Sequence, residues 1–312
     1  MQTNANERQR TATNAPGRPH DAVERLQSLL RNAERSGRPL VMGIVNVTDD
    51  SFSGDGLKDD ASAAIAQARA MAEAGAEIVD LGAESTRPGA APVPFQQEIR
   101  RLVPVIEALR REAPQLLLSV DTRSAATMHA TAVAGAHLIN DISALRGEGS
   151  LESALRTGLP VVLMHMQGEP GSMQQAPQYD DVLREVRDFL AARITACRAA
   201  GFARDRILVD PGIGFGKSVD HNLTLLQRLQ ALATLGYPLL AGVSRKSFIG
   251  AVAREPDAPR RVPGSIAAAL WAAQNGAKIL RVHDVPETVQ ALDVWQAMQQ
   301  GRLDIKKPND SA

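Results

Sequence analysis

The chain has 312 residues, with 35 Lys+Arg balanced by 35 Asp+Glu and a net charge of zero. A neutral chain has no global field to draw in nucleic acid or an anionic membrane, so anionic ligands must be captured by local groups. The single cysteine, Cys197, excludes an internal disulfide and a cysteine zinc cluster.

Hydrophobic residues make up 44% and charged residues 22%, ordinary for a globular protein. No apolar run approaches the roughly 20 residues of a membrane span. The N-terminus lacks the apolar core of a secretory signal. With one thiol, the expectation is a cytoplasmic, reducing environment. Residues 1–20 are polar and read as a disordered tail. Over 21–37 the pattern becomes helical. Val23, Leu26, Leu29, Leu30 and Ala33 recur at helical spacing, Asp21 is a candidate cap and Gly37 a stop. Such a helix could cover one end of a barrel.

From residue 38 to about 300 a rhythm sets in. Short β-branched runs occur at Leu40–Val47, Glu77–Leu81, Leu116–Val120, His137–Ile139, Pro160–Met164, Ile207–Val209, Pro238–Val243 and Lys278–Val282. Between them lie helical stretches rich in Ala, Leu, Glu and Arg, such as Ala61–Ala74, Phe95–Arg111, Val182–Ala200 and Asn222–Leu235. Cys197 falls within one of these stretches and reads as a packed thiol. Gly75, Gly135, Gly158 and Gly276 fit helix C-caps. Eight β-then-α units predict a single-domain α/β protein, a TIM (β/α)8 barrel, whose usual size is about 250 residues. An open doubly wound sheet is the runner-up. Residues 301–312 read as a polar C-terminal tail.

Each apolar run stops at polar residues, and in a barrel all these ends share the catalytic face. Asp121, Asn140 and Asp210 suit a flat heterocycle with several N–H donors, because a carboxylate can accept two parallel hydrogen bonds. Arg87, Arg245, Lys246, Arg281 and His283 would form an anion clamp beside them. The chain uses six lysines against 29 arginines. A lysine after a strand end therefore suggests a geometry that a planar guanidinium cannot match. Lys246 is read so; Lys217 reads equally well as a surface cation. Asn46 could give one oxygen to a Mg²⁺ that takes its other ligands from phosphate and water. The glycine-rich run from Gly212 to Ser218 fails the Walker spacing, since Pro211 stands where glycine is needed. It fails the dinucleotide pattern as well.

Eight segments in order resemble the dihydropteroate synthase family. They are Met42–Ser53, Glu84–Gly89, Ser119–Thr122, Ile139–Asp141, Met164–Gly168, Asp210–Lys217, Ser244–Ser247 and Arg281–Asp284. The resemblance implies condensation of 6-hydroxymethyl-7,8-dihydropterin diphosphate with p-aminobenzoate, with Mg²⁺ assisting departure of diphosphate, in a homodimeric, sulfonamide-targeted enzyme. It assigns Asp121, Asn140, Asp210 and Lys246 to the pterin, with Met164, Phe215 and Gly242 lining the slot. It gives Asn46, Arg87, Arg281 and His283 to diphosphate and metal. It gives Phe52, Thr86, Pro88 and Ser247 to p-aminobenzoate. Asp121, Lys246, Arg281 and His283 are the expected catalytic residues.

Three departures from the family pattern stand out. Asp49 occupies a usual proline, the first-loop acid is displaced to Asp55, and a helical segment replaces the short strand that often precedes the barrel. The displaced acid keeps a non-catalytic pterin-binding paralogue open, and the shared fold keeps a pterin-dependent methyltransferase open.

Overall fold

The structure is a computed structural model that describes residues 19–47, 57–83 and 93–301. Helix α1 spans Pro19–Ser36, so Pro19 and His20, read as part of the tail, belong to its first turn. A proline is tolerated there because the first-turn N–H groups have no partner inside the helix. The strands are β1 (Leu40–Asn46), β2 (Ile78–Gly82), β3 (Leu117–Asp121), β4 (Leu138–Asp141), β5 (Val161–Met164), β6 (Ile207–Asp210), β7 (Leu240–Ala241) and β8 (Ile279–Val282). The helices after α1 are α2 (Leu57–Glu73), α3 (Phe95–Glu112), α4 (Ala125–Ala134), α5 (Ser150–Thr157), α6 (Val182–Ala200), α7 (Val219–Gln227), α8 (Gln230–Ala233), α9 (Ser247–Ala253), α10 (Val262–Gln274) and α11 (Val285–Gln300).

All strand pairs are parallel, in the order β6-β5-β4-β3-β2-β1-β8-β7. A parallel bridge between Val209 and Leu239 brings β6 to the start of β7 and closes the ring. This is the TIM barrel that the eight-fold rhythm predicts. Two elements differ from expectation. The stretch Asn222–Leu235 is two helices, α7 and α8. Ser218 and His221 form a reciprocal capping box that starts α7 early, and Arg228 leaves helical geometry at its end. The run Pro238–Val243 keeps ladder pairing only over Leu240–Ala241.

Strand side chains alternate between two faces. One set, including Val79, Leu81, Leu118, Val120, Ile139, Leu163 and Val209, packs under the helices. The other set faces the barrel axis. Its lower layer contains Met42, Ile78, Leu117, Leu138, Val162, Leu208, Leu240 and Ile279, all buried with Leu26, Leu30 and Ala33 of α1. Thus α1 stoppers the N-terminal mouth of the barrel. Its polar face ties it to the segments just before β3 and β6, through Arg25 to the Gln115 carbonyl at 2.7 Å and Gln27 to the Asp205 carbonyl at 2.7 Å. Each fully buried leucine of this plug contributes about 1.5–3 kcal/mol.

Further along five of the eight strands, β2, β3, β4, β6 and β8, the axial set turns polar. Asp80 follows Ile78, Ser119 and Asp121 follow Leu117, Asn140 follows Leu138, Asp210 follows Leu208 and Arg281 follows Ile279. The pleat therefore delivers charge to the C-terminal mouth, where barrels carry their functional loops.

Candidate active site

Asp121, Asn140, Met164, Asp210, Phe215, Gly242, Lys246 and Arg281 line one narrow cleft at that mouth, with Ile142, Gly212 and Ile213. Register explains part of the convergence: Gly82 pairs with Asp121 and Asp121 with Asn140 across three neighbouring strands. One wall is apolar, formed by Ile142, Met164 and Phe215, which pack in one cluster with Met166 and Met173. The rest is polar. A flat ligand could pack against the wall and hydrogen-bond along its edge.

Arg281 crosses the floor. Its Nε donates to Asp80 Oδ2 at 2.6 Å and its NH2 to Asp121 Oδ2 at 2.9 Å. Burial opposes its charge, but Asp80 and Asp121 outweigh burial and raise its pKa. Lys246 stands immediately before α9 and sets its ammonium 4.1 Å from the centre of the Phe215 ring, a cation–π distance. Burial, reinforced by Arg281, lowers its pKa to about 8. Asp210 moves the other way. Burial raises its pKa even though the Gly212 N–H, Lys246 and Arg281 favour the anion. A ligand presenting N–H donors would supply the hydrogen bonds that burial takes from this carboxylate.

The loop after β6 is fastened from below by Lys217. Its ammonium lies 2.9 Å from the carbonyls of Gly212 and Phe215, 2.9 Å from His165 Nδ1 and 3.3 Å from the His165 carbonyl. Lys217 is 3% exposed, so the surface-cation alternative is wrong. Burial lowers its pKa to about 7, and also holds His165 down at about 3, with Lys217 adding to the effect. The glycines of this loop serve packing. At Gly212 φ is +65° and a Cβ would sit 1.9 Å from the His165 carbonyl oxygen; at Gly216 φ is +60° and the contact with the Gln167 carbonyl would be 2.2 Å. Only glycine fits where two loops approach this closely.

The other strand ends divide between site and scaffold. Asp141 serves its own loop, accepting from the Ser143 N–H, the Ser143 hydroxyl and the Leu145 N–H. Arg245 is a correction to the expected anion clamp. Its guanidinium is paired with both oxygens of Asp284, so it ties the loop after β7 to the loop after β8. His283 contacts the Ser244 hydroxyl through Nδ1 at 3.0 Å. Burial and the nearby charges of Arg281 and Arg245 lower its pKa to about 4. Asn46 is exposed at the end of β1, level with Gly82. Ser247, also exposed, opens α9. His283, Asn46 and Ser247 lie beside the cleft lining rather than in it. Phe52, Asp49, Asp55, Thr86, Arg87 and Pro88 lie outside the described residues.

Asp80 was not among the expected site residues. It sits inside an apolar run rather than at a strand end, yet it is fully buried and holds both Arg281 and Asn140. The available signal was a lone acid within Ile78–Leu81, at axial parity with Ile78.

The rim of this parallel barrel thus joins buried carboxylates and an amide to an adjacent Lys–Arg pair, an enzyme-like cleft for a flat, donor-rich ligand. Residues 42–283 match the family described as pterin binding enzyme, and the chain belongs to that family. It is 49% identical over 259 residues to the dihydropteroate synthase of Escherichia coli (strain K12), covering 83% of this chain and 91% of that protein. Two solved structures of Xanthomonas albilineans dihydropteroate synthase are similar. One contains 4-aminobenzoic acid, with TM-score 0.80, 52% identity and coverage of 85% of this chain and 94% of that one. The other contains 7,8-dihydropteroate, with TM-score 0.76, 47% identity and coverage of 85% and 94%.

Proposed function

We propose that this protein joins 6-hydroxymethyl-7,8-dihydropterin diphosphate to p-aminobenzoate, giving 7,8-dihydropteroate and diphosphate, the dihydropteroate synthase reaction of folate biosynthesis. The observation that carries this reading is the meeting of Asp121, Asn140 and Asp210 with Lys246 and Arg281 around one cleft. It is supported by a relative of that name at 49% identity.

In this reading Asp210, Asn140, Asp121 and Lys246 bind the pterin, and Met164, Phe215 and Gly242 form its walls. Arg281, His283, Asn46 and Arg87 receive the diphosphate. Phe52, Thr86, Pro88 and Ser247 frame p-aminobenzoate. The new bond forms between the amine nitrogen and the exocyclic methylene carbon as the carbon–oxygen bond to diphosphate breaks, and the amine nitrogen then sheds a proton. Positive charge that develops on the methylene is favoured by the Asp121 carboxylate. Negative charge on the departing group is favoured by Arg281, already held in place by two acids. The attacking amine is neutral, so orientation suffices and no covalent nucleophile is required. The sole thiol fits this, since burial raises Cys197 to about 11.

Asn46 suits Mg²⁺ in its donor chemistry: a single exposed amide oxygen at the rim is what an ion bound mainly by diphosphate and water needs. When bound, the ion would offset charge on the leaving diphosphate. A homodimer is supported by the exposed Leu223 of α7 and Trp271 of α10, which line one surface groove with Leu226, Phe248 and Ala268, an apolar patch of the kind that partners cover. A cytoplasmic location is supported by the solitary thiol; among the described residues no helix is long and apolar enough to cross a membrane. Expression in a bacterium lacking its dihydropteroate synthase tests the activity. Growth without added folate end-products is expected. No growth, despite soluble protein at normal levels, would leave a pterin-binding paralogue as the better reading.

A further inference from the structure

The polar layer of the barrel has an acid at its centre with no evident ligand of its own. Asp80 is 0% exposed. Its Oδ2 accepts from Asn140 Nδ2 at 2.9 Å and from Arg281 Nε at 2.6 Å. Its Oδ1 is buried without a hydrogen-bond partner among the described residues. So is Oγ of Ser119, the residue paired with Asp80 in the β2–β3 register.

An acid in this state is a poor choice for stability. A buried carboxylate with one oxygen unsatisfied carries a desolvation cost that an apolar side chain, like its strand neighbours, would avoid. What the carboxylate does supply is direction. It can only accept hydrogen bonds, so the amide nitrogen of Asn140 must face it, and the Asn140 carbonyl oxygen must point away. Asn140 lines the cleft, so the group left for a ligand is an acceptor, the polarity that ring N–H and amine donors require. The same Oδ2 takes Nε of Arg281, while Asp121 takes NH2. Two acids on different strands thus fix both the position and the plane of that guanidinium.

We propose that Asp80 is a positioning residue that orients Asn140 toward the pterin and Arg281 toward the diphosphate through a single buried oxygen. It touches neither substrate. Both halves of the substrate are read by side chains that Asp80 aims, and this explains a charge placed one layer below the rim. This inference rests on the synthase reading and adds a residue to it.

The test uses the full-length protein and its Asp80→Asn variant. Calorimetry measures 6-hydroxymethylpterin and inorganic diphosphate separately, and steady-state kinetics gives KM for p-aminobenzoate. The variant keeps shape but can turn its own NH₂ toward Asn140 and has no charge for Arg281. Affinity for both probes should fall about tenfold, while KM for p-aminobenzoate stays within about twofold. A merely structural role would instead lower the folded fraction and leave the folded molecules binding normally; that result, or loss of only one probe, overturns the proposal. If Asp80→Asn does not fold, the exchange Asp80→Asn with Asn140→Asp serves. It keeps one donor–acceptor pair and leaves an acceptor oxygen facing the pterin. Pterin affinity should then return to within about threefold of the parent, and diphosphate affinity should stay about tenfold weak, because the charge has left Arg281 Nε. Recovery of both affinities, or of neither, overturns the proposal. Absence of dihydropteroate formation by the parent protein would instead count against the synthase reading and leave the binding comparison intact.

Discussion

The two mouths of the barrel are built from the same eight strands and do opposite jobs. At the N-terminal mouth the axial side chains are aliphatic and α1 covers them with Leu26, Leu30 and Ala33. Toward the C-terminal mouth the axial positions carry Asp80, Asn140, Asp210 and Arg281 two residues on, and Asp121 four residues on. One end buries apolar area and supports the fold. The other end holds buried charge, which costs free energy, and keeps it organised for a ligand. The lesson is that stability and recognition are separated by about two residues of strand, or one inside-facing layer.

Substitutions can break this separation or sharpen it. The largest effect is expected at Asp210. In Asp210→Asn one ring donor would meet an amide NH₂ instead of a carboxylate oxygen, and pterin affinity should fall about a hundredfold. Thermal unfolding should barely change. Near-normal pterin affinity by calorimetry would show that the acid is not a ligand. At the opposite mouth, Leu26→Ala opens a cavity in the plug and should cost about 3 kcal/mol in urea unfolding. Its kcat, measured on folded enzyme, should be that of the parent; a parallel fall in kcat would mean that the two ends are not separable.

Lys217 lies on the border. Lys217→Met keeps the stem but removes the ammonium that the carbonyls of Gly212, Phe215 and His165 share. About 2 kcal/mol of stability should be lost, together with some pterin affinity, since the loop it fastens lines the cleft. Unchanged unfolding would return Lys217 to the role of a surface cation. The smallest effect at neutral pH concerns buried histidines at both mouths. Burial and neighbouring cations hold His137 and His165 at about 3. The unfolded chain would bind protons on them from about pH 6.5 downward while the folded chain does not. Stability should therefore be complete above about pH 6.5 and decline as pH falls toward 3. His137→Gln should flatten that slope in urea titrations run at several pH values, and an unchanged slope would assign it to other groups.

Much of this was readable from sequence because the barrel writes its layers at fixed spacing. Apolar runs end in polar residues, and eight such endings in order marked the rim. Asp121, Asn140, Asp210, Lys246 and Arg281 were legible for that reason. Asp80 was not, because a carboxylate one layer below the rim looks like an interruption in an apolar strand until its partners are seen. Arg245 misled for a related reason. Spacing puts it on the rim, but only the fold shows Asp284 within reach of its guanidinium. Lys217 was ambiguous because a lysine following glycines looks the same whether it meets water or three carbonyl oxygens. The split between α7 and α8 depended on a side-chain cap formed by Ser218 and His221, a local contest that periodicity does not register.

The central claim is that charge gathered at one rim holds a pterin and releases its diphosphate to an incoming amine. The most direct measurement is diphosphate release from 6-hydroxymethyl-7,8-dihydropterin diphosphate, followed with and without p-aminobenzoate and with Mg²⁺ present. The expected result is steady release that depends on p-aminobenzoate, matched mole for mole by 7,8-dihydropteroate. Tight pterin binding without release, or release with no dihydropteroate formed, would contradict it.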